Sequence, residues 1–542
     1  MNRAGTATAQ GAGGAADDPA ARPAVVWSIA GTDSAGGAGI AADQRAADAC
    51  GVHLCTVVAA VTAQNSLGVR LVEAMSVDLI DAQMAALETD LRPAVVKTGL
   101  LGGAAQVACV AGWIDRLRQR GPVALVVDPV LGASTGASFA DAETLAAYRH
   151  WLLPRATLLT PNRDEAARLA GVEGHDVPAL AARLRSMGAA AVCITGGDHA
   201  PHGGLATDWI DTPQATGWLA LPRIDTAHTH GTGCTFASAA AAAMARGFVC
   251  ADALVLAKMA TAQALRSGAA AGRGAGAVRA VGGFAGDASL LPQLSWSATP
   301  RFAPFGATAS PAPSPLGLYA IVDCAVRVAQ VVAAGVRTVQ LRIKTPVEGA
   351  GVDMDADWPD WVRGEITEAI ACCQAAGALL FVNDHHALAL ELGAPGVHLG
   401  QEDLLALGDA ERAAFSAPGA PVLGVSSHSL WELARARSLA PRYIACGPVW
   451  PTLTKAMPWH PQGLGNLAWW AAMAGAPVVA IGGILTTAQA EAAAACGADG
   501  VCVVRGLGDR PVATVPGFQR ALVRGRDAGP APVPGWPMPS LD

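Results

Sequence analysis

Short apolar runs bounded by Gly, Pro, Asn or Asp alternate along this chain with alanine-rich stretches of helical character. In the second half eight such runs follow one another, at 318–322, 338–343, 379–383, 396–399, 422–426, 443–447, 478–481 and 500–504. Short buried strands separated by helices predict parallel β/α structure. Eight units in this span fit a (β/α)8 TIM barrel, near the lower size of that fold; an open doubly wound sheet is the alternative. In the first half, runs at 25–30, 57–61, 94–98, 124–128, 157–160 and 191–195 read as strands. They predict an open, mostly parallel α/β sheet covered by helices.

Two stretches break the pattern. Residues 286–315 and 526–542 are rich in proline and lack periodicity, which reads as a linker and a tail. The expected division is therefore 1–22 as a frayed start, 23–285 as one domain and 316–525 as a second.

Composition narrows the field. The 542 residues are 52% hydrophobic and 15% charged, enough apolar material for two large cores. Lys and Arg number 37 against 44 Asp and Glu, a net charge of −7 without any basic stripe, so neither nucleic acid nor an anionic membrane is an expected partner. No apolar stretch reaches the ~18 residues of a spanning helix. The first residues lack the layout of a secretion signal, and a cytoplasmic location is expected. The 12 cysteines include no C-x-x-C pair and read as reduced thiols. The number of copies in a homo-oligomer, if one forms, is not legible.

Candidate chemistry in the first half sits in glycine-rich segments. Gly31-Thr-Asp33-Ser-Ala-Gly36-Gly37-Ala-Gly39 follows the first strand, either a close backbone approach to a ligand or a flexible turn. It fits neither a dinucleotide nor a Walker spacing. His230-Gly231-Thr232-Gly233-Cys234 precedes a helical stretch, so its N–H groups and the helix dipole suit an anion, and a thiol there is expected to be acidified. A buried Cys at a plain helix entry is the other reading. Asn162 and Glu165 in Thr160-Pro-Asn-Arg-Asp-Glu suit Mg²⁺ or a capping box, and Asp128 adds a carboxylate at a strand end.

With Gln44 and Lys97-Thr98-Gly99, this ordered set resembles the hydroxymethylpyrimidine/phosphomethylpyrimidine kinases of thiamine synthesis. The resemblance spans most of residues 25–280. It implies a ribokinase-like fold, ATP as phosphoryl donor, Gln44 as the aminopyrimidine reader, and Gly231–Cys234 as an anion hole with Cys234 as base. Thr195 stands where that family often has a lysine near the nucleotide phosphates.

In the second half, polar residues gather at the same end of successive runs: Gln340, Arg342 and Lys344; Asn383 and Asp384; Gln401 and Asp403; Ser426; Thr452, Thr454 and Lys455; Gly482 and Gly483. Shared ends imply one mouth. Two carboxylates beside three cations suit a Mg²⁺-bound diphosphate, with ion pairing at the barrel rim as the alternative. This set, with His398 and Gly447-Pro448-Val449, resembles the thiamine-phosphate synthases. The resemblance implies Asp384 and Asp403 as Mg²⁺ ligands. It implies Gln340, Arg342, Lys344, Asn383, Ser426 and Lys455 around a pyrimidine diphosphate, and Thr452, Thr454 and the Gly482-Gly483 backbone around a thiazole phosphate. Where the family commonly has a serine, this chain reads Val504-Arg505; backbone contact from Val504 and a phosphate contact from Arg505 are expected instead.

Together the halves predict an enzyme with two activities on small-molecule substrates. The first phosphorylates hydroxymethylpyrimidine and its monophosphate. The second joins the diphosphate to hydroxyethylthiazole phosphate. A kinase carrying a non-catalytic barrel, and a sugar kinase fused to a phosphate-binding barrel, are the rival readings.

Overall fold

The computed structural model describes residues 22–132, 139–174, 176–197, 203–306, 315–344, 358–452 and 458–542. The first half forms one ten-stranded sheet from β1 (Val25–Thr32), β2 (His53–Asn65), β3 (Gly68–Ala74), β4 (Val95–Thr98), β5 (Ala124–Val127), β6 (Leu158–Leu159), β7 (Val192–Ile194), β8 (Leu205–Asp211), β9 (Thr216–Pro222) and β10 (Gln293–Leu294). Their order is β10-β9-β8-β7-β6-β5-β4-β1-β2-β3. The centre, from β7 to β2, is parallel, and the remaining pairs are antiparallel. The strand order reverses between β4 and β1, which is where a sheet of this kind opens a crevice beyond its carboxyl ends.

The predicted runs are all strands. β3, β8, β9 and β10 are additional. β8 carries both Asp208 and Asp211, which interrupt the apolar run that marks a buried strand.

Helices Thr232–Ala245 and Cys250–Arg266 lie almost wholly buried in the sheet's core. Their alanines favour helix and leave little side-chain bulk between the packed backbones.

The second half is a closed parallel barrel: β11 (Gly317–Val322), β12 (Thr338–Arg342), β13 (Leu379–Asn383), β14 (Gly396–Leu399), β15 (Val422–Ser427), β16 (Tyr443–Cys446), β17 (Val478–Ala480) and β18 (Gly500–Val503). β11 pairs with β18 and closes the ring. Tyr319, Phe381 and Tyr443 fill its interior.

The expected linker is not a plain spacer. β10 lies within it, Ser295 exchanges hydrogen bonds with Trp218, and Ser297 donates to Asp409 of the barrel half. The barrel half also packs on helix Cys250–Arg266. There the Asp252 carboxylate accepts the N–H of Trp431, and the Trp469 indole donates to the Ala285 carbonyl at 2.7 Å. The proline-rich tail bridges both halves. Trp536 packs against Phe284 and under the Arg246 guanidinium, while Met538 exchanges hydrogen bonds with Asn466.

Candidate functional site

A cavity of about 790 Å³ opens at the carboxyl ends of β1, β4, β5, β6 and β7, a volume suited to small ligands. Two glycine-rich loops form one wall. The Asp33 carboxylate accepts N–H bonds from Ala35, Gly37 and Ala38, each at 2.9 Å, and lies 2.9 Å from the His230 ring. Burial opposes its charge, but the His230 and backbone hydrogen bonds hold its pKa below the usual range. Glycine is required where the loops touch. A Cβ on Gly231, at φ 86°, would lie 2.2 Å from the Gly37 carbonyl, and one on Gly37 would strike the His230 ring.

Gly231, Thr232, Gly233 and Cys234 form the entry of helix Thr232–Ala245 and line this cavity. The helix start does not acidify Cys234 as the sequence suggested. Burial pushes the thiol up to about 12, Lys97 opposing the rise and Asp128 and Asp43 adding to it. Loss of water outweighs the partial charge of a helix end. The resting side chain is therefore a thiol at neutral pH.

Beneath lies a fully buried ion pair. The Lys97 ammonium donates to Asp43 at 2.9 and 3.1 Å and lies 3.6 Å from Asp128. Asp43 also accepts from Ser28 and Ser238, so strands β1 and β4 and helix Thr232–Ala245 share one charged node. Asp128 is pushed up to about 6 by burial, against the pull of Lys97.

Asn162 and Glu165 line the cavity and also make the capping box that was the alternative reading. Glu165 accepts from the N–H groups of Asn162 and Leu131, and burial with Asp128 nearby pushes it up to about 8. Thr195 lines the cavity and donates its N–H to the Pro161 carbonyl. Gln44 is placed apart from this set: its amide donates to Asp48 one turn along the same helix, and it is not among the lining residues.

The sequence did not single out the buried pair Lys258–Asp208, which also lines the cavity at 2.7 Å separation. Asp208 additionally accepts the Gly196 N–H. A lysine in the middle of a mostly apolar helix was the available signal.

In the barrel, the expected residues within the described chain gather at the carboxyl ends of its strands. Gln340 and Arg342 come from β12, with Lys344 just beyond. Asn383 ends β13 and Ser426 lies near the end of β15. Asp384 follows β13 at φ 69°, with the Arg342 guanidinium 3.8 Å from its carboxylate. A non-glycine residue in that region is uncommon and marks a site worth attention. Asp403 lies in the first turn of helix Gln401–Ala406, where its carboxylate accepts the Gly400 N–H at 2.9 Å.

Gly482 and Gly483, at φ 91° and 71°, follow β17. A Cβ on them would strike Pro448 and Trp450, so the pair packs against the loop that leads to Thr452. Val504 and Arg505 are exposed just beyond β18. Thr454 and Lys455 lie outside the described residues.

Comparisons with known proteins match a family to each half of the chain. The phosphomethylpyrimidine kinase family matches residues 33–279, and the thiamine monophosphate synthase family matches residues 318–507. A thiamine-phosphate synthase of Neisseria meningitidis is 44% identical over 39% of this chain and 96% of its own. A hydroxymethylpyrimidine/phosphomethylpyrimidine kinase of Synechococcus elongatus is 42% identical over 42% of this chain and 85% of its own. A chloroplastic thiamine biosynthetic bifunctional enzyme of Arabidopsis thaliana is 32% identical over 80% of each chain. With a phosphomethylpyrimidine kinase domain on an open sheet followed by a barrel thiamine monophosphate synthase domain, this chain belongs to the family of bifunctional thiamine biosynthetic enzymes.

Proposed function

We propose that the first cavity transfers phosphate from ATP to hydroxymethylpyrimidine and then to its monophosphate, and that the barrel condenses the resulting diphosphate with hydroxyethylthiazole phosphate, releasing thiamine phosphate and pyrophosphate. The observation that carries this is the presence, in one chain, of two mouths at the carboxyl ends of parallel strands, each lined for anionic oxygens.

In the kinase cavity the N–H groups of Gly231 and Gly233 would face the phosphoryl group in flight, where positioning and charge neutralisation supply most of the catalysis; the Thr232 N–H is donated to the Thr229 carbonyl. Cys234, which lines the cavity, would take the substrate hydroxyl proton. Because it rests as a thiol, that role requires the substrate complex to lower its pKa, and Lys97 is the cation already acting in that direction. Asn162, Glu165 and Thr195 would face the ATP phosphates. Asp128 lines the cavity with the Lys97 ammonium 3.6 Å from its Oδ2, and its carboxylate would also meet a cation brought with ATP. Gln44 would need to turn from Asp48 to read the aminopyrimidine.

In the barrel, Asp384 and Asp403 would supply hard oxygen donors from neighbouring strand ends. No group of three or more His, Cys, Asp or Glu suited to a metal occurs among the described residues. Two carboxylates fit Mg²⁺, which takes its other ligands from water and phosphate oxygens. Bound there, Mg²⁺ would neutralise the diphosphate as it leaves. Gln340, Arg342, Lys344, Asn383, Ser426 and Lys455 would hold the pyrimidine diphosphate. Thr452, Thr454, Gly482, Gly483, Val504 and Arg505 would hold the thiazole phosphate. No helix among the described residues is long and apolar enough to cross a membrane, and the cytoplasm is the proposed place of action.

One coupled assay tests the whole reading: purified full-length protein with hydroxymethylpyrimidine, thiazole phosphate, ATP and Mg²⁺ should yield thiamine phosphate. Accumulation of pyrimidine diphosphate without thiamine phosphate would limit the activity to the first half.

A further inference from the structure

A hydrogen-bond circuit in the barrel begins at the backbone carbonyl of His398 and returns to that residue's own ring. A carbonyl can only accept, so the direction of each bond can be worked out in turn. The Asn383 amide nitrogen donates to the His398 carbonyl at 3.2 Å and also to Asp384. The Asn383 oxygen is thereby turned toward Gln340, whose Nε2 donates to it at 2.8 Å. The Gln340 oxygen must then accept, and it takes the Tyr319 hydroxyl at 3.1 Å.

With that proton committed, Tyr319 accepts from Tyr443 across 2.8 Å. Tyr443, having given its only proton, accepts from His398 Nδ1 at 2.7 Å. The remaining contact joins His398 Nε2 to Ser426 Oγ at 3.0 Å.

His398 is buried, and desolvation, with Arg342 and His428 adding to it, pulls its pKa down to about 3. A neutral ring protonated at Nδ1 carries no hydrogen on Nε2. Ser426 must therefore spend its hydroxyl proton on His398, and only its lone pairs remain for the mouth.

We propose that His398 is a positioning residue that fixes Ser426 as a hydrogen-bond acceptor, so that the barrel selects a heterocycle offering an N–H donor at that point. This deepens the barrel reading given above and rests on its pyrimidine substrate. Ser426 is thereby assigned to the exocyclic amine of the pyrimidine. A phosphate at neutral pH brings oxygens with few or no protons and would meet the serine lone pairs unfavourably. Gly424 keeps the circuit closed: a Cβ there would lie 2.4 Å from the Tyr443 ring.

Two measurements on the full-length protein test this. In ¹⁵N-histidine-labelled protein, the His398 signals, assigned by their loss in His398→Gln, should report a neutral ring protonated at Nδ1 at pH 7. A ring protonated at Nε2, or a cationic ring, would overturn the proposal. In the synthase reaction, kcat/KM is compared for the aminopyrimidine diphosphate and its oxo analogue. Tyr443→Phe keeps the ring stack but removes the acceptor for Nδ1–H, and should reduce the preference for the amine on the order of tenfold or more. An unchanged preference would also overturn it. If the wild-type protein condenses neither pyrimidine, the proposed reaction fails, while the tautomer measurement still decides whether the circuit sets Ser426.

Discussion

The Asp252 carboxylate, on a helix of the kinase half, accepts the backbone N–H of Trp431 in the barrel half at 3.0 Å, with both groups buried. Burial pushes Asp252 up to about 7, the N–H groups of Trp431 and Leu430 opposing the rise and Glu432 adding to it. The folded chain thus keeps a proton that the unfolded chain gives up near pH ~4. Stability should fall as pH rises from about 4 to about 7, and this contribution should level off above. Asp252→Asn keeps an acceptor but cannot ionise, so its melting temperature should decline less over that window than the wild type's. Identical slopes would remove Asp252 as the source. Asp252→Ala leaves two buried donors unpaired and should cost on the order of 1–3 kcal/mol, read by denaturant unfolding.

Cys234 gives a cleaner functional test. Cys234→Ala should lower kinase turnover at least about a hundredfold, the usual scale for losing a general base. The barrel reaction, supplied with pyrimidine diphosphate, should be unaffected. Near-normal phosphorylation by the variant would exclude Cys234 as the base.

Asp384→Ala should shift the Mg²⁺ dependence of the synthase reaction to higher concentration and leave phosphorylation of hydroxymethylpyrimidine alone. A superimposable Mg²⁺ titration would take Asp384 out of the ligand set.

The Lys97–Asp43 pair is wholly buried. Lys97→Met leaves Asp43 and Asp128 without their cation and should destabilise the chain by about 3–5 kcal/mol. Adding Asp43→Asn should recover part of that loss, because residues sharing one network are not additive. Equilibrium unfolding of the two variants measures this, and strict additivity would count against a shared node.

Much of the architecture was legible because strands buried on both faces read as continuous apolar runs. All eight barrel strands lie where those runs are. The same logic passed over β8, whose Asp208 is neutralised by Lys258 from a helix fifty residues away. It also passed over β10, too short to show a period. In the site, glycine-rich loops were visible as local spacing. What holds them was not: Asp33 and His230 are 197 residues apart, and Tyr443 meets His398 from a different strand. The acidity of Cys234 was misjudged for a related reason, since a helix start can be read from neighbours in sequence but the loss of water around a thiol cannot.

The tenth strand of the kinase sheet, together with a tail whose Trp536 sits on one half while Met538 binds the other, has a practical consequence for anyone dividing the gene. A cut after residue 285 strips an edge from the first product and leaves the second with a bare tryptophan-lined flank. A stop codon before residue 536 unfastens a clasp that spans both. A division meant to isolate the two activities should keep residues through 306 with the upstream product, and the downstream one will need new polar cover where Asp252 and Ala285 now meet it.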